Sequence, residues 1–471
     1  MEVVLLVSAA VRFARRLPLL ALLLPLALAT CREARPVRVV LVTLDTLRYD
    51  ALVPAPGAES AMPLLLARAR DGALFERFYA ATSVTQPSHA SMFTALHPWE
   101  HGVVTNGQVL EERFETVAEV LRDAGFATAA VVSSYPMAGR FGWAQGFDSF
   151  DDRFTAGPAA GARWEGHTVA GEWFYSLADT VTARALAHLA SPGRDPDTGR
   201  PRSQFLWVHY FDPHDPYGDT VPGPDLHPTD ALRALERGRD PAHMLPAFRE
   251  AYDQDVAFLD RQLDHLLSAL EAEGGLFETH VILASDHGES FGEGGALAHG
   301  KRLTDEQIRV PLVVLSPRIE PGLRRDVAGS VDVARTLLTL AGVQLPEGGD
   351  GKREPWSRVR DLTVDPGEDR ARWGALGMRR TFPDPDEVEL RTDGTRHPLN
   401  ELLFYAVDAE GRLVRGNGAG LAEDTPAPAP GAARRLTTLF AALETRVQAG
   451  AAPVADDPET QRALRALGYV N

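Results

Sequence analysis

The chain contains a single cysteine, Cys31. No intramolecular disulfide can form, and no thiol nucleophile or cysteine zinc site can exist beyond that position. Lysine is nearly as scarce: Lys301 and Lys352 are the only two, and arginine supplies the remaining positive charge. Basic charge is short overall, 48 Lys and Arg against 65 Asp and Glu, for a net charge of −17. An acidic surface repels polyanions, which argues against nucleic acid and anionic membranes as general partners. An anionic small-molecule substrate would have to be met locally, by a metal ion or a few bases. The apolar run Leu17–Ala29 is too short to span a bilayer, which needs about 20 residues.

That run has another reading. Arg12, Arg15 and Arg16 precede it, and Leu28-Ala29-Thr30-Cys31 follow. A basic start, a short apolar stretch and small residues at its end form an export signal over residues 1–31. Its Leu-Ala-x-Cys ending resembles a bacterial lipoprotein signal, which would leave Cys31 lipid-anchored and the protein in the periplasm or cell envelope. An uncleaved N-terminal anchor is the alternative.

What remains is ample for a globular core: 471 residues, 44% hydrophobic and 24% charged. From Pro36 onward apolar strands alternate with amphipathic helices, which predicts an α/β fold with a large, mainly parallel central sheet between helices. Strands are expected at Val37–Leu44, Ala127–Ser133, Phe205–Tyr210, His280–Ala284 and Leu312–Leu315. Helices are expected at Ala61–Ala69, Thr116–Ala124, Phe248–Glu273 and Val331–Ala341. Two Pro/Gly/Asp-rich excursions, 191–202 and 217–241, flank one of the strands. The pattern loosens after Leu345, so the larger domain is placed at 36–345 and a smaller α+β subdomain at 346–471. Within that subdomain short strands are expected at Glu387–Arg391 and Leu402–Val407, a linker at 425–431, and helices at Leu436–Val447 and Glu459–Leu467.

Three strands run directly into acids and histidines: Asp45 after the first, Asp212-Pro213-His214 after the third, and Asp286-His287 after the fourth. Ligands of open α/β sheets bind beyond the carboxyl ends of the strands, so the three ends are expected to converge on a metal. A fourth segment, Thr85-Gln86-Pro87-Ser88-His89, reads as a helix start with Thr85 as its cap. Unpaired N–H groups and the positive end of the helix dipole would then face a bound anion. A threonine hydroxyl becomes a nucleophile only when a base or metal activates it, and Asp45, Asp286 and His287 could hold that metal.

These residues stand in motifs that resemble the sulfatase branch of the alkaline phosphatase superfamily. They are DTLRYD from Asp45, TQPSHASMFTALHPWEHGV from Thr85, HYFDPHDPY from His209, SDHGESFGEGGALAHGK from Ser285 and RVPL from Arg309. The resemblance implies a sulfatase-like α/β sandwich and a metal-dependent hydrolase of phosphoric or sulfuric esters. It also implies that Asp45, Asp286 and His287 are metal ligands and that Thr85 is the nucleophile. His214 and His299 match groups that touch the transferred group or leaving oxygen, and Lys301 a cation that neutralises developing charge.

The departures shape the expected reaction. Sulfatases of this branch place Cys or Ser where Thr85 stands and convert it to formylglycine, an aldehyde threonine cannot form. His89 replaces the motif's usual Arg, and Thr46 the second acid of the usual Asp-Asp pair. Relatives that transfer phosphoryl groups use Thr directly, and phosphoryl transfer chiefly needs positioning and charge stabilisation. A phosphate ester or phosphodiester is therefore the expected substrate. A sulfatase acting without formylglycine, and an exported binding protein that has lost turnover, are the alternatives.

Asp212 could complete a second metal site with His214 and His299, or serve only as a turn cap; one ion requires fewer coincidences than two. Zinc, manganese and calcium all suit such ligands, His287 favouring a transition metal. Asn106 and His89 are candidate substrate contacts. Arg48 is divided between substrate and Asp50, and Glu289 and Glu293 between ligand orientation and solvent. His101 and His209 read as structural hydrogen-bonders.

Overall fold

The computed structural model describes residues 35–156, 163–164, 167–168, 174–191, 193–220, 226, 231, 234, 237, 242–273, 275–344, 354–364, 375–379, 388–390, 396–398, 402–408, 411–422, 425–426, 428 and 431–449. The expected export signal, Cys31, the expected border at 346, Lys352 and the expected helix Glu459–Leu467 lie outside the described residues. Among the described residues no helix is long and apolar enough to cross a membrane.

The central sheet has eight strands. In chain order they are β1 (Val37–Leu44), β2 (Ala73–Phe75), β3 (Ala127–Val131), β4 (Ser149–Asp151), β5 (Gln204–Tyr210), β6 (Glu278–Ser285), β7 (Leu312–Leu315) and β8 (Gly322–Arg324), and across the sheet β8-β2-β7-β6-β1-β5-β3-β4. Neighbours run parallel except β7, which is antiparallel to both β6 and β2. Parallel strands are buried on both faces and so read as continuous apolar runs. In β1, Val39 and Leu41 enter one core while Val40, Val42 and Leu44 enter the other.

Helices cover both faces. On one lie α1 (Pro63–Arg68), α4 (Ala178–Ala190) and α5 (Leu245–Ala272), and on the other α2 (Thr85–Thr94), α3 (Val117–Asp123) and α6 (Asp332–Ala341). α5 turns Phe248, Tyr252, Val256, Leu259, Leu263, Leu266 and Leu270 inward at helical spacing. Its Asp260 carboxylate accepts from the N–H groups of Leu64 and Leu65, satisfying the start of α1, which has no cap of its own. α3 begins with the Thr116–Glu119 capping box.

β1 aligns with both neighbours so that Leu44 stands beside Tyr210 and Ser285. The residues that follow, Asp45, Phe211 and Asp286, therefore emerge together at one edge. The register of three apolar strands brings the predicted ends side by side.

The C-terminal region supplies a four-stranded antiparallel sheet of β9 (Ala375–Arg379), β10 (Leu403–Val407), β11 (Leu413–Asn417) and β12 (Gly420–Leu421), with helix α7 (Ala432–Ala449) on one face. Its other face joins the main core through Tyr405 and Val407. There Met378 N–H donates to the Ala81 carbonyl at 3.0 Å and the Tyr405 hydroxyl to the Ala80 carbonyl. Gly377 permits this approach, since a Cβ on it would lie 2.1 Å from the Ala81 oxygen. The chain that leads into Thr85 is thus fastened to the C-terminal sheet.

Candidate functional site

Asp45, Asp286 and His287 each offer one ligand atom, and the three atoms lie within 4.8 Å of one another. All three residues are buried. His287 Nε2 stands 3.7 Å from Asp45 Oδ1 and 3.5 Å from Asp286 Oδ2. The Asp286 carboxylate is positioned through its other oxygen, Oδ1, which accepts from the N–H groups of His287 and Thr46. Both Asp45 oxygens and Asp286 Oδ2 are left without a hydrogen bond.

Buried carboxylates in that state disfavour ionisation. Burial first, then the charge of Asp286, raises Asp45 well above the usual carboxylate range, and burial raises Asp286 as well. Burial holds His287 neutral. Its Nδ1–H donates to the Gly288 carbonyl at 3.1 Å, which leaves the Nε2 lone pair facing the two acids. A ligating histidine is oriented in this way, by its other nitrogen. Three orphaned carboxylate oxygens and one imidazole lone pair, all aimed inward, fit a divalent cation.

Thr85 stands at the rim of this cage. Its hydroxyl lies 3.2 Å from His287 Nε2 and donates to it. Helix α2 starts at Thr85 itself, after Val84, and no side-chain cap bond is made, which corrects the reading of Thr85 as a cap. The expected anion cradle of backbone N–H groups is also largely occupied. Gln86 N–H donates to Asn106 Oδ1 at 3.0 Å, Ser88 N–H goes to the Val84 carbonyl, and Pro87 has none.

The remaining candidates divide. His299 and His214 line up beside the cage, with ring centroids 4.5 Å from His287 to His299 and 4.8 Å from His299 to His214. His214 stacks on Phe211 at 4.4 Å and donates Nδ1–H to the Asp215 carbonyl. Burial lowers its pKa. For His299 burial also acts downward, but the carboxylates of Glu289, Asp215 and Asp286 together outweigh it and the pKa is raised. Lys301 follows on the same loop, half-buried.

Asp212 stands outside the three-residue group. Its oxygens are buried and unbonded, and the charges around it are those of Asp219, Asp255 and Asp179. His89 is fully buried under the start of α2, where its Nδ1–H donates to the Thr85 carbonyl at 2.9 Å and its ring packs against Trp143 and Trp207. It therefore supports Thr85 from behind, a correction to its expected place on substrate. Asn106 accepts from the helix start through its oxygen, and its amide NH2 is the group that the expected donation to an oxyanion would use.

The surroundings of these groups are less visible in the sequence. His209 is held by Thr43 and Ser134, as a core histidine, yet its Nε2 also lies 3.9 Å from Asp45 Oδ2. Thr46 adopts a left-handed backbone with φ 55°, unusual for a β-branched residue. That conformation aims its N–H at Asp286 and its carbonyl at the Tyr252 hydroxyl. No local sequence signal marks it, because the constraint comes from helix α5.

Arg48 is settled as a structural group. It pairs with Asp50 through two bonds of 2.7 and 2.8 Å, with Glu293 at 2.7 Å and with the Glu289 carbonyl at 2.9 Å. Arg48→Ala removes a buried guanidinium from two partly exposed carboxylates and is expected to cost about 1–3 kcal/mol of stability, less than the loss of a fully buried pair. KM should stay within about twofold, as expected when no binding contact is lost. Thermal unfolding and steady-state kinetics on one preparation check both; a large KM rise at unchanged stability would return Arg48 to the substrate.

Comparison with known proteins gives a consistent set. The family model described as Sulfatase matches residues 38–343. The choline-sulfatase of Rhizobium meliloti (strain 1021) is 26% identical over 355 residues, which cover 66% of this chain and 68% of that one. Arylsulfatase K of Xenopus laevis is 24% identical over 64% of this chain, and the match spans 62% of its length. Among solved structures, the phosphonate monoester hydrolase of Silicibacter pomeroyi superimposes with a TM-score of 0.54 at 19% identity, over 83% of this chain and 88% of that one.

Proposed function

This chain belongs to the sulfatase family, and from that premise we propose that it cleaves a phosphate ester or phosphodiester by direct attack of the unmodified Thr85 hydroxyl. The observation that carries the reading is the side chain at this position. A secondary alcohol that cannot become formylglycine lies 3.2 Å from a donor atom of the Asp45–Asp286–His287 group. A divalent cation held by those three residues would supply Lewis-acid stabilisation of charge at the reacting centre. Two carboxylates and an imidazole favour zinc or manganese over calcium.

The protein's own groups account for the rest. His89 and Asn106 hold the first turn of α2, so the Thr85 oxygen is presented from a fixed backbone. In the proposed step Thr85 Oγ, its proton released to solvent, bonds to phosphorus while the ester oxygen departs with a proton from His299. His214 and Lys301 take the charge that develops on the transferred group. Water then cleaves the phosphothreonine. Sulfate ester cleavage by the same hydroxyl is the competing reading, favoured by the likeness to choline-sulfatase.

The test is a substrate panel on the purified full chain, with metal analysis of the same sample. Nitrophenyl sulfate, phosphate, phosphodiester and phosphonate esters are compared. A phosphorus ester should exceed the sulfate in kcat/KM by at least about tenfold, or 1.4 kcal/mol of transition-state discrimination. A preference for sulfate would overturn the proposal.

A further inference from the structure

We propose that Glu289 is a positioning residue for ester cleavage, holding His299 so that its Nε2 is the nitrogen presented to the leaving oxygen. The inference rests on the reading of His299 given above and adds the group that makes such a role workable.

The local fold brings the pair together. Two short strands, Ser290–Phe291 and Leu297–Ala298, form an antiparallel ribbon in which Ser290 stands opposite Ala298. Continuing that register by one residue sets Glu289 opposite His299. Gln307 fastens the arrangement, its side-chain amide donating both to Ser290 Oγ at 2.8 Å and to the Ala298 carbonyl at 3.1 Å. Arg48 fixes the Glu289 carbonyl, and Gly288 N–H donates to the Gln307 carbonyl at 2.8 Å. A Cβ at Gly288 would meet the Glu306 oxygen at 2.0 Å, so the backbone there has one close-packed path.

Within this frame the Glu289 carboxylate is fully buried. Its oxygens accept from His299 Nδ1 at 3.1 and 3.3 Å, and one also accepts from Ser290 N–H. His299 supplies the partner this carboxylate needs, since an unpaired buried charge is strongly unfavourable. The bond fixes the tautomer: Nδ1 carries a proton, and Nε2 is the nitrogen that exchanges one. Carboxylate–imidazole pairs of this kind orient the ring and stabilise its cationic form in other hydrolases. When the ester bond breaks, its electron pair stays on the leaving oxygen, which takes the proton from Nε2. The ring becomes neutral with Nδ1–H still donated to Glu289.

A purely structural glutamate would affect all substrates alike, whereas this role depends on the leaving group. Alkyl esters need a proton on the departing oxygen; p-nitrophenyl esters hardly do. Glu289→Gln keeps the shape and an acceptor but removes the charge. It should cost roughly 100-fold in kcat on an alkyl ester and less than about fivefold on the nitrophenyl ester, with KM little changed. Glu289→Asp, with its carboxylate drawn back by one methylene, should show the same ordering at smaller size, and it serves if the Gln variant fails to fold. Equal losses on the two esters, or no loss on either, would overturn the inference. The comparison uses whichever ester class the wild-type protein cleaves. A sulfate preference would therefore remove the phosphoryl reading while this ratio is still judged separately.

Discussion

Thr85→Ala is expected to lower kcat by at least about ten-thousand-fold, the scale seen when a covalent nucleophile is removed. Metal content should be unchanged, because the three inward-facing ligand groups belong to Asp45, Asp286 and His287 and the lost hydroxyl only borders them. Thr85→Ser keeps the alcohol and removes a methyl group from a tightly packed site, so it should retain most of the activity. Two further readings tie the loss to chemistry. The peptide containing Thr85 should have the mass of unmodified threonine, and rapid quenching of the wild-type reaction should trap a phosphate on that peptide. Full turnover by Thr85→Ala would end the nucleophile assignment, whatever substrate is used.

The second large effect is removal of the metal. Chelation should abolish turnover, and the stability of the chelated protein should depend on pH in a particular direction. Burial pushes Asp286 up to about 8, and Asp45 moves the same way. A carboxyl raised in the folded state contributes stability that is complete below the ordinary carboxylate range and is lost as pH rises through its folded value. The chelated protein should therefore melt at a lower temperature at pH 8.5 than at pH 6.5. Metal replaces the proton, so its affinity should tighten by up to about tenfold per pH unit over that window, and the gain in melting temperature should grow with it.

The window matters because His97 and His101 act in the opposite sense. Burial pushes both down to about 3, so they destabilise the fold as pH falls below the ordinary histidine value. Asp286→Asn removes that residue's share of the carboxylate pH dependence and leaves the share of Asp45, which burial raises first. The variant's affinity for metal should drop more than about 100-fold, beyond the loss of an outer-shell partner, and the melting temperature of its chelated form should fall less between pH 6.5 and 8.5 than that of the wild type. A wild-type melting temperature that rises with pH after chelation would show that the two acids are not buried together uncompensated.

The central sheet was legible because its strands are apolar on both faces. Val37–Leu44 and Leu312–Leu315 lie where the apolar runs place them, and the other expected strands differ by one or two residues at an end. Less legible was the direction of β7. A short apolar run reads the same in either direction, and only its pairing with β6 and β2 shows that it runs against them. Helix α4 was missed because its alanines give a weak apolar stripe, although Val181, Ala185 and Leu189 face inward.

At the site, residues directly after strand ends were readable because period-two strands determine where they emerge. Those whose roles depend on an opposite element were not. His89 looked like a substrate contact from its motif position, yet a helical turn carries it beneath Thr85. Glu289 could be either a ligand-orienting acid or a solvated one until the ribbon register set it against His299. Sequence spacing says which residues leave a strand together. It says little about which way a loop folds afterward.

The seam between the C-terminal sheet and the Ala80–Ala81 backbone has a consequence for how this protein could diverge. A sheet bonded four residues upstream of the reacting oxygen forms part of that oxygen's foundation, and drift in one must be matched in the other. Gly377 marks the tightest point, where any added carbon would press on the loop that leads to the alcohol. New substrate preferences are thus more freely acquired at the sheet's far margin than along this edge.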